Sequence, residues 1–189
     1  MKKLLPLLLC ALCAVPSFGQ RLNGPRYRGF VDGMYMTGVT GSDYNDSNIR
    51  GWGFSTTHGC QFNRYIFVGG GFAYYRAKSS EDCYYYSSDS WYGYSNRHYT
   101  NETYYNIVPI YSDFRVHMAR SRVSPFFDVK LGATISEEVG VFVSPSLGLR
   151  IGTSDDVGIN ITAGYTSMSG IIDVDTYSSA FTISVGIDF

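Results

Sequence analysis

The sequence predicts an all-β fold, an eight-stranded antiparallel up-and-down barrel that crosses a membrane, and three observations lead there. First, from residue 20 onward, segments with an apolar residue at every second position follow one another, and none keeps a 3.6-residue period. Second, the residues between those apolar positions are mostly Gly, Ser, Thr and Asn, with few charges. A water-washed barrel exterior carries many Lys and Glu, whereas small residues suit the narrow interior of eight strands. The apolar track is therefore expected to face lipid. Third, the connections alternate between short and long, as in barrels with tight turns on one side of a membrane and loops on the other.

Composition agrees. At 189 residues the chain is about one domain, and its charged fraction of 16% is low for a soluble protein, while 17 Tyr, 12 Phe and 21 Gly are many. The formal net charge of −1 shows no basic excess, so no nucleic-acid partner is expected. Lys2 and Lys3 precede an apolar run from Leu4 to Val15, and Ser17 and Gly19 supply small residues before Gln20. That pattern predicts a cleaved signal peptide over 1–19 and a mature barrel over 20–189. The run is too short for a spanning helix, and Leu9 and Leu12 fit a lipoprotein site at Cys10 or Cys13 poorly.

In chain order the strands are expected at about Arg28 to Val39, Ile49 to Gln61 and Tyr65 to Ala77. The fourth covers Val108, Ile110, Phe114 and Val116, which alternate with Tyr111, Asp113, Arg115 and His117. The fifth sets Phe127, Val129, Leu131, Ala133 and Ile135 against Asp128, Lys130, Gly132 and Thr134. Val143, Leu147, Leu149 and Ile151 mark the sixth, with Arg150 on its polar track, and Val157, Ile159, Ile161, Ala163 and Tyr165 the seventh. Phe181, Ile183, Val185, Ile187 and Phe189 form the eighth. Pro109, Pro125 and Pro145 are the weakest points of this count, because each removes a ladder donor.

Short connections follow Gln61, Met118 and Gly152, and longer ones follow Val39, Ala77 and Tyr165. Only the one at Ser136 to Gly140 is short on the long side, and the longest runs from about Lys78 to Thr103. Aromatic residues gather at strand ends and are expected to form interfacial girdles: Phe62, Tyr65, Phe126 and Phe189 on the short-turn side, Tyr35, Tyr104 and Tyr165 on the other.

The stretches "TTHGCQFNRYIFVGGGFAYY", "PIYSDFR" and "VSPSLGLRIG" resemble those of small Gram-negative outer-membrane β-barrel proteins of the porin-like and OmpA-like families. Phe189 with Phe181, Ile183, Val185 and Ile187 resembles the C-terminal signal read by the barrel-assembly machinery. The resemblance implies the bacterial outer membrane as location, with the bilayer and that machinery as partners. It implies no activity.

Candidate sites follow from the polar track. Asp113, Arg115, His117, Asp128, Lys130 and Arg150 are expected inside the barrel as a charge network. Salt bridges that satisfy buried charge and plug the lumen are the preferred reading, and a proton-linked gate or narrow pore is the alternative. His58 has no second His at metal-ligand spacing and is read as structural, and "VGGG" at Val68 to Gly71 is read as making room for bulky lumen side chains rather than as a phosphate loop. Cys60 and Cys83 are placed at opposite ends of the barrel and are not expected to pair. No G-x-S-x-G turn is present, and His98 with Asp82 or Asp89 is the only rim combination resembling a catalytic one, so no enzyme, cofactor or metal is expected.

The loop "YYYSSDSWYGYSNRHYTNETYY" mixes Tyr and Trp with Ser, Gly and Asn, the composition of contact loops. Trp91, Tyr92 and Tyr94 are its expected anchors for an extracellular ligand or surface protein. A structural or surface-interaction barrel is thus the first functional expectation and a small porin-like pore the second. A soluble lipocalin-like binder is the third.

Overall fold

The computed structural model describes residues 25–42, 45–63, 65–87, 95–119, 121–135, 139–153, 157–169 and 177–189. Eight strands form one closed antiparallel sheet in simple sequence order: β1 (Arg26–Ser42), β2 (Asn45–Gln61), β3 (Ile66–Ser87), β4 (Ser95–His117), β5 (Val123–Ile135), β6 (Val139–Gly152), β7 (Gly158–Ser169) and β8 (Tyr177–Asp188). β1 pairs with β8, Val31 opposite Ile187 and Tyr35 opposite Ile183, so the wall has no edge within the membrane.

Alternation assigns the faces as expected. Leu131, Leu147, Ile161, Phe181, Ile183, Val185 and Ile187 lie exposed on the outer wall, whereas Asp113, Asp128, Ser144, Asn160 and Asp188 are buried inside. A wall this apolar needs lipid as its solvent.

Tight turns close one end. Between β2 and β3 the Asn63 side-chain carbonyl accepts hydrogen bonds from the Tyr65 and Ile66 amides at 2.8 and 2.9 Å. The β4–β5 turn closes through Met118 N–H to the Pro125 carbonyl at 2.8 Å, and the β6–β7 turn through Thr153 N–H to the Val157 carbonyl at 3.0 Å. At the other end the strands run further than alternation suggested. The segment Lys78 to Thr103, expected as a loop, is largely a continuation of β3 and β4, whose pairing persists to Ser87 opposite Ser95. Likewise β1 and β2 pair as far as Ser42 opposite Asn45, so the connection after Val39 is shorter than expected. Beyond the bilayer a two-stranded ribbon needs no apolar face, and ladder bonds continue without the sequence signal that marks a membrane strand.

β3 and β4 have 22 and 23 residues. About 9–11 suffice to cross a bilayer, so roughly half of each strand projects as a hairpin. Two seams are interrupted within the wall. The β3–β4 register runs from Phe72 opposite Ile110 to Tyr75 opposite Ile107, with no pairs between them at Pro109. The β6–β7 register jumps from Val143 opposite Ser167 to Ser146 opposite Gly164 at Pro145. Proline has no N–H to give the ladder.

Candidate functional site in the lumen

Even-numbered residues of β1 and β8 and odd-numbered residues of β4 point inward, and the charged ones among them meet in two layers. The first lies mid-barrel. Arg115 on β4 donates from Nη2 to Asp128 Oδ2 of β5 at 3.2 Å, and Lys130 Nζ stands 3.7 Å from the same oxygen. Their register explains the meeting, with Arg115 opposite Asp128 and Asp113 opposite Lys130. Asp113 is 1% exposed beside them. The Arg115 guanidinium is held between two rings, 4.0 Å from the Phe30 centroid and 4.4 Å from that of Phe126. A delocalised, weakly hydrated cation tolerates such a slot better than an ammonium would.

The second layer lies toward the short turns and centres on Asp188. Its carboxylate accepts from Arg150 Nε at 2.9 Å and Asn160 Nδ2 at 3.2 Å, and pairs with Arg28 Nη1 at 2.9 Å. Of the six expected network residues, the structure therefore joins Arg115, Asp128 and Lys130 in one cluster with Asp113 beside them, while Arg150 belongs to another. His117 sits against Phe126, ring centroids 5.5 Å apart, with Ser124 Oγ 3.5 Å from its Nδ1. Arg28, Asp32, Asn160 and Asp188 were absent from the expectation, although the inward parity of their strands contains the signal.

Phe126 requires a correction. Expected in the outer-wall girdle, it is fully buried in the lumen, on the same face as Ser124 and Asp128. Its ring fits because Gly148 has no side chain: a Cβ there would stand 2.4 Å from Phe126 Cζ. Gly69, in the "VGGG" stretch, similarly clears the ring of Phe67, whose Cζ would lie 2.6 Å from an added Cβ.

Toward the outer end the lumen is mainly apolar, with small hydroxyls such as Thr134, Ser144 and Thr166 among the apolar groups. Met36, Ile49, Ala73, Tyr75, Ala77, Ile107, Tyr111, Phe142, Met168 and Ala180 pack there as one buried cluster, with Tyr111 stacked on Phe142 at 5.7 Å. Two charged layers below and a packed apolar layer above fill the interior. Among the described lumen residues, Arg28 and Arg150 pair with Asp188 and Arg115 and Lys130 with Asp128, while Asp32 and Asp113 are buried in the same interior.

The remaining expected residues lie elsewhere. Phe181, Ile183, Val185, Ile187 and Phe189 line the outer wall of the closing strand. His58 is outside the lumen, its Nε2 2.8 Å from Thr56 Oγ1 and its Nδ1 on the Tyr27 hydroxyl. Cys60 is opposite Val68, near the short turns, and Cys83 lies far along β3 opposite Tyr99. Trp91, Tyr92 and Tyr94 lie outside the described residues.

No family model and no curated relative matches the chain. Solved structures do. Neisserial surface protein A, NspA, superposes with a TM-score of 0.56 at 13% identity, covering 88% of this chain and 100% of that one. The fold is that of a bacterial outer-membrane β-barrel. Two further such barrels superpose more loosely: OprG of Pseudomonas aeruginosa, at TM-score 0.47, 10% identity, 87% of this chain and 94% of that one, and Ail of Yersinia pestis bound to the heparin analogue sucrose octasulfate, at 0.45, 14%, 86% and 99%. In barrels of this fold the tight turns face the periplasm and the longer connections face outward.

Proposed function

We propose that this chain is a closed, non-catalytic barrel that anchors an outward β3–β4 hairpin in the outer membrane as a contact element for a surface protein or external ligand. The observation that carries the reading is the contrast between a filled lumen and two strands twice as long as the membrane requires. Nothing in a packed lumen gains from such length, whereas a projecting tip presents its side chains away from the lipid surface. Trp91, Tyr92 and Tyr94, between β3 and β4 in the sequence, are the proposed anchors, rigid amphipathic rings that give contact area at low entropic cost.

On the same reading, residues 1–19 are a secretion signal removed on export. The outward-facing Phe181, Ile183, Val185, Ile187 and Phe189 are recognised by the assembly machinery before the barrel closes.

The test replaces Trp91, Tyr92 and Tyr94 with Ser in cells, with heat-modifiable gel mobility confirming that the barrel has assembled. Loss of surface-dependent adhesion or pull-down partners supports the hairpin's role; unchanged contacts with an intact barrel refute it. The porin-like alternative is tested separately by single-channel conductance in planar bilayers. The packed apolar layer favours a silent barrel.

A further inference from the structure

Among the described side chains the outer wall carries little charge, and what it carries is in one place. Among the described outward-facing strand residues, Arg50, Arg76, Lys78 and Glu102 are the charged set, all on β2, β3 and β4 at the level where these strands leave the membrane. Register brings them together: Arg50 is opposite Lys78, Trp52 opposite Arg76, and Lys78 opposite Tyr104. Below them the wall is apolar, with Phe54, Phe72 and Ile110 exposed; level with them Trp52 and Tyr104 are more than half exposed. The vertical order is therefore hydrocarbon, aromatic, cation.

Neighbouring groups settle which charges are free to act outward. Lys78 Nζ is 2.5 Å from Glu102 Oε1, so this pair largely neutralises itself. Arg76 lies over the Tyr104 ring at 5.8 Å, and no described carboxylate pairs with Arg76 or Arg50. Two guanidiniums thus stand on a lipid-facing wall at the depth of the headgroups. Cations facing lipid are costly unless an anion meets them, and a guanidinium fork matches phosphate geometry. Strands β5 to β8 present Val139, Val141, Tyr165 and Phe181 near the same end and offer nothing comparable.

We propose that Arg50 and Arg76, with Lys78 beside them, bind the phosphate of an outer-leaflet lipid headgroup, whose acyl chains lie along Phe54, Phe72 and Trp52. The proposal rests on the membrane-spanning reading and is independent of the hairpin's role. It commits to a phosphorylated lipid, held from the side by the wall.

The test uses the full mature chain refolded in phosphatidylcholine vesicles containing a bisphosphorylated glycolipid, or the same glycolipid dephosphorylated, with retained lipid counted by native mass spectrometry after detergent release. Retention of the phosphorylated form should fall about tenfold or more in Arg50→Gln/Arg76→Gln, given the contribution of each cation near an anionic surface. Glu102→Gln should raise it. The dephosphorylated form should be retained weakly and equally by all variants, and millimolar inorganic phosphate should not displace the lipid. Equal retention of the two lipids, or an unchanged Arg50→Gln/Arg76→Gln variant, overturns the proposal. If that double variant fails to fold, the single Arg76→Gln and Arg50→Gln variants serve, and the absence of any weakening in both overturns it equally. Loss of heat-modifiable mobility in the wild-type vesicles would instead count against the membrane barrel itself.

Discussion

The ring of Phe189 occupies the space that Gly29 leaves by having no side chain. A Cβ on Gly29 would lie 2.8 Å from Phe189 Cε2 and Cζ, and the two residues exchange backbone hydrogen bonds of 2.8 and 3.0 Å. The last residue of the chain is thus pinned to the first strand, where barrel closure is completed. Gly29→Val should push the ring aside and cost about 1–3 kcal/mol as an overpacked contact. Urea titration followed by the folded band on unboiled gels measures it; a variant as stable as wild type would show that the ring is free to move.

Deleting Phe189 should act differently. One interfacial ring accounts for about 1.5–3 kcal/mol of burial at most, which a formed barrel tolerates. The expected outcome is a large drop in outer-membrane levels in cells with near-normal refolding of the purified chain in vitro. Equal losses in both assays would remove the case for recognition.

The two faces of β6 offer a direct comparison. Leu147 is 60% exposed on the lipid side and Ser146 faces the lumen near Asp128. Leu147→Arg should destabilise by about 2–4 kcal/mol. Ser146→Asn, on the polar side, should cost far less, and unfolding curves that coincide would reverse the face assignment.

Arg115→Ala would leave Asp128 with only longer contacts, to Lys130 and to the Ser146 hydroxyl, and leave a gap between Phe30 and Phe126. Breaking a buried pair from one side costs about 3–5 kcal/mol. Arg115→Lys should recover only part of that, because an ammonium neither stacks in the slot nor donates as a planar fork.

If the apolar layer closes the lumen, the wild type should carry no current in planar bilayers. Tyr111→Ala/Phe142→Ala removes the stacked pair and should open a measurable leak. A conducting wild type would favour the pore reading outright.

How much of this was legible depends on what lines the inside. From β5 to β8 the inward track is mostly small or polar, as at Lys130, Gly132, Ser144, Gly148 and Thr162, with Phe126, Phe142 and Met168 the large apolar exceptions, so alternation stands out. In β1 to β4 the inward track includes Met36, Ile49, Tyr75 and Ile107, and with both faces apolar the period of two fades. The charged layers were half visible: Arg115 and Asp128 are near each other in sequence, whereas Asp188 and its partners Arg28 and Arg150 come from three distant segments. Phe126 was misplaced because nearness to a strand end outweighed its parity with Asp128. The pairing of β3 and β4 beyond Lys78 lacked a signal, since the stretch mixes Tyr with Ser, Asn and charged residues and keeps no period of two.

The two proline gaps divide the cylinder into a narrow panel of β4, β5 and β6 and a broader one of β7, β8, β1, β2 and β3. At the Pro145 gap a side-chain contact, Ser144 Oγ to Thr166 Oγ1 at 2.8 Å, stands in for the missing ladder. Amide exchange should therefore be fastest, among membrane-embedded positions, at Tyr74 and Val108 and at Tyr165 and Thr166. Elastically, the barrel is a cylinder with two longitudinal creases, so its cross-section should flex from round toward oval along one fixed axis.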